Sequence, residues 1–276
     1  MIVERAPAKI NLALHVRARR PDGYHELETL FAFLADGDTI SLERAAAPSF
    51  RLTGPFGSAL AAERDNLVQR AVDAFAGAFG DPGPLAITLD KQLPIASGIG
   101  GGSADAAATL RALARLMGVA VDERLYAIAE GLGADVPACL LGKSAIGLGK
   151  GEQLAPLAGL ADTPVLLVNP GVPVSTGAVF KAWDGQDLGP LPTAGTLLDR
   201  ARNARNDLEP PALALAPEIA DVLAALGAAP GVLLSRMSGS GATCFALFSN
   251  REAQAMAAAT IAAGHPGWWT FQSSMA

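Results

Sequence analysis

The sequence predicts a mixed α/β (α+β) protein, and three observations predict it. Segments that alternate apolar and polar residues recur along the chain, as half-buried strands do. Runs with helical spacing separate them. A glycine-rich loop follows a short strand and leads straight into a helix. The 276 residues suit one large domain or two modest ones. Hydrophobic residues make up 50% of them, ample material for a core.

In chain order, residues 10–16 form the first predicted strand and Arg20-Pro21-Asp22-Gly23 a turn. Two further strands, 27–34 and 38–42, are separated by Asp36-Gly37. In 64–79 the residues Leu67, Val68, Ala71, Val72, Phe75 and Phe79 recur at helical spacing. Residues 85–89 are a short strand. A strong helix runs from Ser103 to about Met117 and stops at Gly118. A second follows over 122–132, then a strand and turn over 142–151 and an apolar strand over 163–169. A boundary falls near 155–162. Residues 184–196, rich in Gly, Pro and Asp, are a surface loop. A helix over 217–226 precedes strands 232–234 and 243–248, which flank a second glycine-serine loop.

Composition narrows the function. The net charge is −6, with no Lys/Arg run, which argues against nucleic acid as a partner. His15, His25 and His265 lack metal-ligand spacing. Cys139 and Cys244 sit in apolar runs and read as reduced core residues. The opening MIVERAPAKI lacks the apolar core of a signal peptide, and no apolar run approaches the roughly 20 residues of a membrane helix. A soluble cytoplasmic protein without a membrane partner is expected.

The most informative stretch is PIASGIGGGSADAA, Pro94 to Ala107. Gly98, Gly100, Gly101 and Gly102 fall just before the helix. Glycine accepts positive φ and has no Cβ, so such a loop can converge its N–H groups on a ligand. The helix N-terminus adds free donors and the positive end of the dipole, which suits a nucleotide's phosphates. The Ser103 hydroxyl can cap the helix, touch a phosphate or ligate Mg²⁺. The plainer reading is a glycine-rich turn with a serine cap. The loop is neither G-x-G-x-x-G, since Ser103 takes the last position, nor a P-loop. Gly142-Lys143-Ser144 ends like a P-loop, but Pro137 stands at its first position.

Four other stretches carry polar candidates. Lys9 and Asn11 share one strand face, where a cation and an amide can hold a phosphate or hydroxyl, or simply mark a solvated edge. Asp135 either caps the segment after it or receives the proton of an attacking hydroxyl. Met237-Ser238-Gly239-Ser240-Gly241-Ala242 is a hairpin turn or a second backbone cradle. Tyr24-His25 can stack on and hydrogen-bond a base, or cover a local core.

Together, PAKINL, DGYHELET, the glycine loop, LGADVPACL and RMSGSGAT resemble the GHMP kinase superfamily over about Pro7 to Phe248. Ile99 replaces the family's usual leucine, and Gly101-Gly102-Ser103 its run of small residues. The resemblance implies a two-domain fold. The N-terminal ATP-binding domain (1–157) would contain a left-handed β-α-β unit, and the C-terminal domain (158–276) would be ferredoxin-like. It implies ATP and Mg²⁺. It also implies phosphoryl transfer to the 2-hydroxyl of a cytidine diphosphate-linked methylerythritol, a step of the non-mevalonate route to isoprenoid precursors.

The resemblance also implies roles. Asp135 would accept the hydroxyl proton, with Lys9 between it and the γ-phosphate. Pro94, Ile95, Ala96, Ser97, Gly98, Ile99, Gly100, Gly101, Gly102 and Ser103 would cradle ATP, with Asn66 and Lys91 on the adenosine side. Tyr24, His25 and Phe180 would form the cytidine pocket. Asn11 and Thr176 would contact substrate, and Gly239 and Gly241 would close the site. Beyond Ser103 no Mg²⁺ ligand stands out; Asp105, one turn into the helix, is the other carboxylate at hand. A monomer or weak homodimer is expected. The rival readings are a GHMP kinase for homoserine, mevalonate or a sugar, opposed by Tyr24-His25, and a nucleotide sensor, opposed by Lys9 with Asp135.

Overall fold

The computed structural model describes residues 1–61 and 66–276. In chain order its elements begin with β1 (Ile2–Arg19), β2 (His25–Arg44), β3 (Ser49–Thr53), α1 (Gly57–Leu60), α2 (Leu67–Phe79) and β4 (Leu85–Asp90). There follow α3 (Gly101–Met117), α4 (Glu123–Leu132), α5 (Val136–Leu141), β5 (Ala145–Gly149), β6 (Gln153–Pro156) and β7 (Pro164–Asn169). The rest are α6 (Thr176–Ala182), α7 (Leu197–Arg202), α8 (Glu209–Leu215), α9 (Glu218–Gly227), β8 (Val232–Met237), β9 (Cys244–Phe248), α10 (Arg251–Gly264) and β10 (Trp269–Ser274).

The chain forms two compact units. The first comprises Met1–Lys9, Asp36–Ile95 and Gly100–Gly142. Its strands β3 and β4 pair in parallel, from Ser49 opposite Ala86 to Thr53 opposite Asp90. With α2 between them in sequence they make a β-α-β unit. The outer half of β2 pairs antiparallel with β4, Thr39 opposite Asp90. Helix α3 packs against α2, α4 and α5. Its alanines at 104, 106–108, 112 and 114 are buried, because small side chains let helices approach closely.

The second unit comprises Ile10–Ala35, Ala96–Ile99 and Lys143–Ala276. Here the inner half of β2 pairs with β5, and β5 with β6, both antiparallel. A four-stranded antiparallel sheet has the order β10-β7-β9-β8. With α9 before β8 and α10 before β10, it is the ferredoxin-like arrangement. Its core includes Leu166, Val168, Ile219, Val222, Phe248 and Ile261.

Three expectations are corrected. The strands expected over 27–34 and 38–42 are one strand, β2, which runs straight through Asp36-Gly37. Glycine is needed there for space, not for a turn: a Cβ on Gly37 would lie 2.2 Å from the Ala6 carbonyl oxygen. Helix α3 begins at Gly101, two residues before Ser103, with Gly100 as its N-cap in the left-handed conformation (φ 66°). The helix expected from residue 64 is α2, which starts at Leu67 after the Asn66 cap; residues 64 and 65 lie outside the described residues. The stop at Gly118 is a left-handed C-cap at φ 67°, and the Arg20–Gly23 turn closes through the Gly23 N–H to the Arg20 carbonyl.

Candidate active site

The glycine loop is built from backbone geometry. Gly98 (φ 78°) and Gly100 (φ 66°) take left-handed conformations, and so does Ala96 (φ 50°). Ile99 is buried and anchors the loop. Gly101, Gly102 and Ser103 form the first turn of α3. Their amides precede the first helical bond, from the Ala104 N–H to the Gly100 carbonyl (2.8 Å). Such amides have no intrahelical acceptor and suit an anion. Gly102 is exposed, and Gly101 and Ser103 are partly so. Pro94 and Ile95, also partly exposed, lead into the loop.

In the first unit the loop's exit runs along Lys9. A Cβ on Gly100 would lie 3.0 Å from Lys9 Cε. Lys9 Nζ is 2.9 Å from Asp135 Oδ2, with 4% of the lysine side chain and 37% of the aspartate exposed. Asp135 does stand at the N-cap of α5, but its carboxylate makes no capping bond. Both readings of Asp135 therefore touch the same residue: the backbone starts a helix while the side chain pairs with Lys9. Behind the pair lies the buried Cys139 thiol, pushed up to about 12 by burial and then by the Asp135 charge.

Lys91 and Asn66, expected on the adenosine side, both have partners within the protein. Lys91 is 2% exposed, and its ammonium lies 2.5 Å from Asp38 Oδ2 and 2.7 Å from Asp105 Oδ2. Its ammonium is thus shared between two carboxylates. Asp105, the other carboxylate near the loop, belongs to this buried cluster. Asn66 accepts from the Val68 N–H (2.8 Å) and so caps α2. Asp38 escaped the sequence reading because it lies far along the chain from its partners and in a strand pattern.

In the second unit, the loop residues Ser97 and Gly98 interlock with the second glycine segment. The Thr243 N–H donates to the Ser97 carbonyl (3.2 Å), and Ser238 Oγ donates to the Gly98 carbonyl (3.0 Å). A Cβ on Gly98 would strike the Gly241 and Ser238 carbonyl oxygens at 2.6 and 2.7 Å, and one on Gly239 would lie 3.1 Å from the Gly98 oxygen. Gly239 and Gly241 thus hold the loop. Asn206, missed in the sequence, secures them by donating to the Met237 and Gly239 carbonyls (2.9 and 2.8 Å). Asn11 is 2% exposed and donates to Thr29 Oγ1 (2.8 Å). Thr176, exposed at the start of α6, shares a hydrogen bond of 2.9 Å with Ser240.

Tyr24, His25 and Phe180, the residues expected around a base, all lie in this unit. The His25 and Phe180 rings are 4.9 Å apart, and Trp183 meets His25 edge-on at 5.7 Å. Tyr24 is 54% exposed, with the Lys150 ammonium 5.1 Å from its ring centre. His25 Nε2 is buried and has no hydrogen-bond partner among the described residues. Burial, then the Arg19 charge, lowers the His25 pKa from its ordinary value. Trp183 was not found in the sequence, although a tryptophan three residues past Phe180 was a usable signal.

A glycine cradle at a helix start beside a Lys–Asp pair, with a ferredoxin-like second unit, defines a small-molecule kinase architecture. The GHMP kinases N terminal domain matches residues 66–143 and the GHMP kinases C terminal domain residues 191–265, and the chain belongs to the GHMP kinase family. A 4-diphosphocytidyl-2-C-methyl-D-erythritol kinase of Rhizorhabdus wittichii is 51% identical over 277 residues, 99% of this chain and 94% of that protein. One of Erythrobacter litoralis is 50% identical over 280 residues, 100% of both chains. The crystal structure of a 4-(cytidine 5'-diphospho)-2C-methyl-D-erythritol kinase superposes with a TM-score of 0.83 at 39% identity, covering 99% of each chain. A homoserine kinase from Cytophaga hutchinsonii shares the fold at a TM-score of 0.70 and 20% identity, over 99% of this chain and 94% of that one.

Proposed function

We propose that the chain transfers the γ-phosphoryl group of ATP to the 2-hydroxyl of 4-diphosphocytidyl-2-C-methyl-D-erythritol, in the non-mevalonate route to isoprenoid precursors. The observation that carries this reading is the Lys9–Asp135 pair at 2.9 Å, set against Gly100 of the glycine loop. The relatives at about half identity over the whole chain support the substrate.

Phosphoryl transfer asks for positioning and charge neutralisation. In this reading Asp135 accepts or orients the proton of the 2-hydroxyl, and Lys9 offsets charge on the transferring group. The amides of Gly98 to Ser103 hold the phosphates, and Asn66 lies on the adenosine side. Tyr24, His25 and Phe180 take the cytosine, a role that the partnerless Nε2 of His25 supports. Asn11 and Thr176 contact the alcohol.

Mg²⁺ fits only sparsely. Among the described residues no three His, Cys, Asp or Glu side chains gather for a metal. The ion would sit on phosphate oxygens with Ser103 as a single protein donor, and there it would neutralise phosphate charge. Domains over 1–157 and 158–276 complete the reading, as does a monomer or weak homodimer in the cytoplasm. No described helix is long and apolar enough to cross a membrane.

The test is ADP release from Mg-ATP with this alcohol, with homoserine and with mevalonate. Release with the cytidylyl alcohol alone, lost in Asp135→Asn while ATP still binds, is expected. Release with another alcohol would discard the cytidine pocket. ATP binding without turnover on any of the three would leave a nucleotide sensor.

A further inference from the structure

Two buried hydroxyl groups hold Asn11, one at its backbone and one at its side chain. The Asn11 backbone N–H donates to Ser238 Oγ (3.2 Å), and its Nδ2 donates to Thr29 Oγ1 on β2 (2.8 Å). Ser238 and Thr29 are 0% and 1% exposed. Each commits its own proton elsewhere. Ser238 Oγ donates to the Gly98 carbonyl (3.0 Å), and Thr29 Oγ1 donates to the Ala13 carbonyl (2.7 Å).

A hydroxyl has a single proton. With that proton on the Ala13 oxygen, Thr29 offers Asn11 only lone pairs, so the amide must turn its NH2 toward Thr29. The flipped amide would set two carbonyl oxygens against one proton and leave a buried acceptor unpaired, which is costly. Thr29 thereby selects one of the two amide orientations. Oδ1 then lies by the second glycine turn, where a Cβ on Gly239 would be 3.3 Å from it. An amide oxygen has two lone pairs: it takes an O–H group and is repelled by a phosphate oxygen.

We propose that Thr29 is a positioning residue, which turns Asn11 so that its Oδ1 accepts a hydrogen bond from a hydroxyl of the alcohol substrate. This rests on the proposed reaction and deepens it, because it states what Asn11 reads: an O–H donor, not a phosphate. Ser238 sets where the Asn11 backbone stands, and Thr29 sets the polarity of its side chain. Without the Thr29 hydroxyl, Asn11 keeps its place on β1 and loses the group that selects its orientation. Thr29 acts through Asn11 alone, so its effect vanishes once the Asn11 amide is gone.

The experiment measures kcat and KM for the cytidylyl alcohol and for Mg-ATP in wild type, Thr29→Ser, Thr29→Val, Asn11→Ala and the variant combining Asn11→Ala with Thr29→Val. Thr29→Val keeps the shape without the hydroxyl. Its kcat/KM for the alcohol should fall on the order of tenfold to a hundredfold, with KM for Mg-ATP within about twofold of wild type. Thr29→Ser restores the hydroxyl and should stay within about threefold of wild type. In the Asn11→Ala background Thr29→Val should bring no further loss. The proposal is overturned by Thr29→Ser as slow as Thr29→Val, by an equal rise in KM for Mg-ATP, or by an undiminished loss in the Asn11→Ala background. If Thr29→Val does not fold, NMR of the wild-type Asn11 side chain decides. A slowly exchanging Nδ2 proton with nuclear Overhauser contacts to Thr29 supports the orientation, and an amide without them overturns it. Absence of turnover in wild type would sink the proposed reaction, while the same spectra would still test how Thr29 orients Asn11.

Discussion

Asp135 occupies the N-cap of α5, yet it gives its carboxylate to Lys9, 2.9 Å away, and none of it to the helix. A cap side chain usually stabilises its helix by about 1 kcal/mol. Here that gain is forgone and the charge is directed at a lysine that is almost fully buried, with only 4% of its side chain exposed. Such a choice fits a catalytic group better than a structural one.

The first prediction follows from that pair. Asp135→Asn removes the charge but keeps an oxygen that can accept from the lysine. ADP release should fall by about 10²–10⁴-fold, while Tm should move by only a few degrees, roughly the effect of 1 kcal/mol or less. Lys9→Met should lose turnover to a similar extent. Calorimetry alongside the assay checks both. A large drop in Tm with partly retained turnover would make the pair a structural one.

The loop glycines should separate into two classes. Gly98→Ala would drive its Cβ into two carbonyl oxygens, at 2.6 and 2.7 Å, from a left-handed backbone. Carbonyls held in a hairpin cannot move aside easily, so a loss of about 3 kcal/mol or more is expected. Gly102→Ala meets only Leu67 Cδ1 at 3.4 Å and sits within a helix, where alanine is favoured by up to about 1 kcal/mol. It should fold at least as well and show a higher KM for ATP. Denaturant unfolding and steady-state kinetics distinguish the two.

Much of this was legible in the sequence, because the signals were local. The glycine run before a helix and the hairpin around Ser238 rest on neighbouring residues, and the structure has both. Asp36-Gly37 misled because a glycine needed for close approach to β1 looks the same as one needed for a turn. Helix α8 opens on Pro210-Pro211, which reads as a breaker although proline is tolerated in a first helical turn. The Asp38–Lys91–Asp105 cluster was out of reach: its members are 53 and 14 residues apart and meet only through the packing of a strand on a helix.

Ala96 holds a left-handed backbone, φ 50°, which an L residue with a Cβ adopts at a cost of roughly 1–2 kcal/mol. Glycine adopts it freely but loses more entropy on folding. Ala96→Gly should therefore change stability by less than about 1 kcal/mol, with relief and entropy opposed. A destabilisation of several kcal/mol in urea would show that the methyl group makes a packing contribution of its own.

Neither cysteine should react. Burial pushes Cys139 up to about 12 and raises Cys244 as well, so thiolate is scarce at neutral pH. Native protein should resist a maleimide for as long as it stays folded, with both thiols labelled in denaturant. Rapid labelling of Cys139 in the native state would contradict the burial described.

The last prediction concerns His25 and pH. Burial comes first and the Arg19 charge second in lowering its pKa, so the ring stays neutral through the ordinary histidine range near 6.5 and takes a proton only below it. A neutral imidazole can both donate and accept, as the edge of cytosine requires. KM for the cytidylyl alcohol should stay flat as pH falls from about 8 to 6.5 and rise only with further acidification. The sign for stability is the same: the unfolded chain takes up this proton first, so His25 contributes stability at higher pH that is lost as pH falls through the lowered folded value. Arg19→Ala should shift the acid rise in KM to higher pH, because it removes the neighbouring cation. His25→Gln should abolish that rise. An acid limb that persists unchanged in both variants would exclude His25 as the titrating group of the pocket.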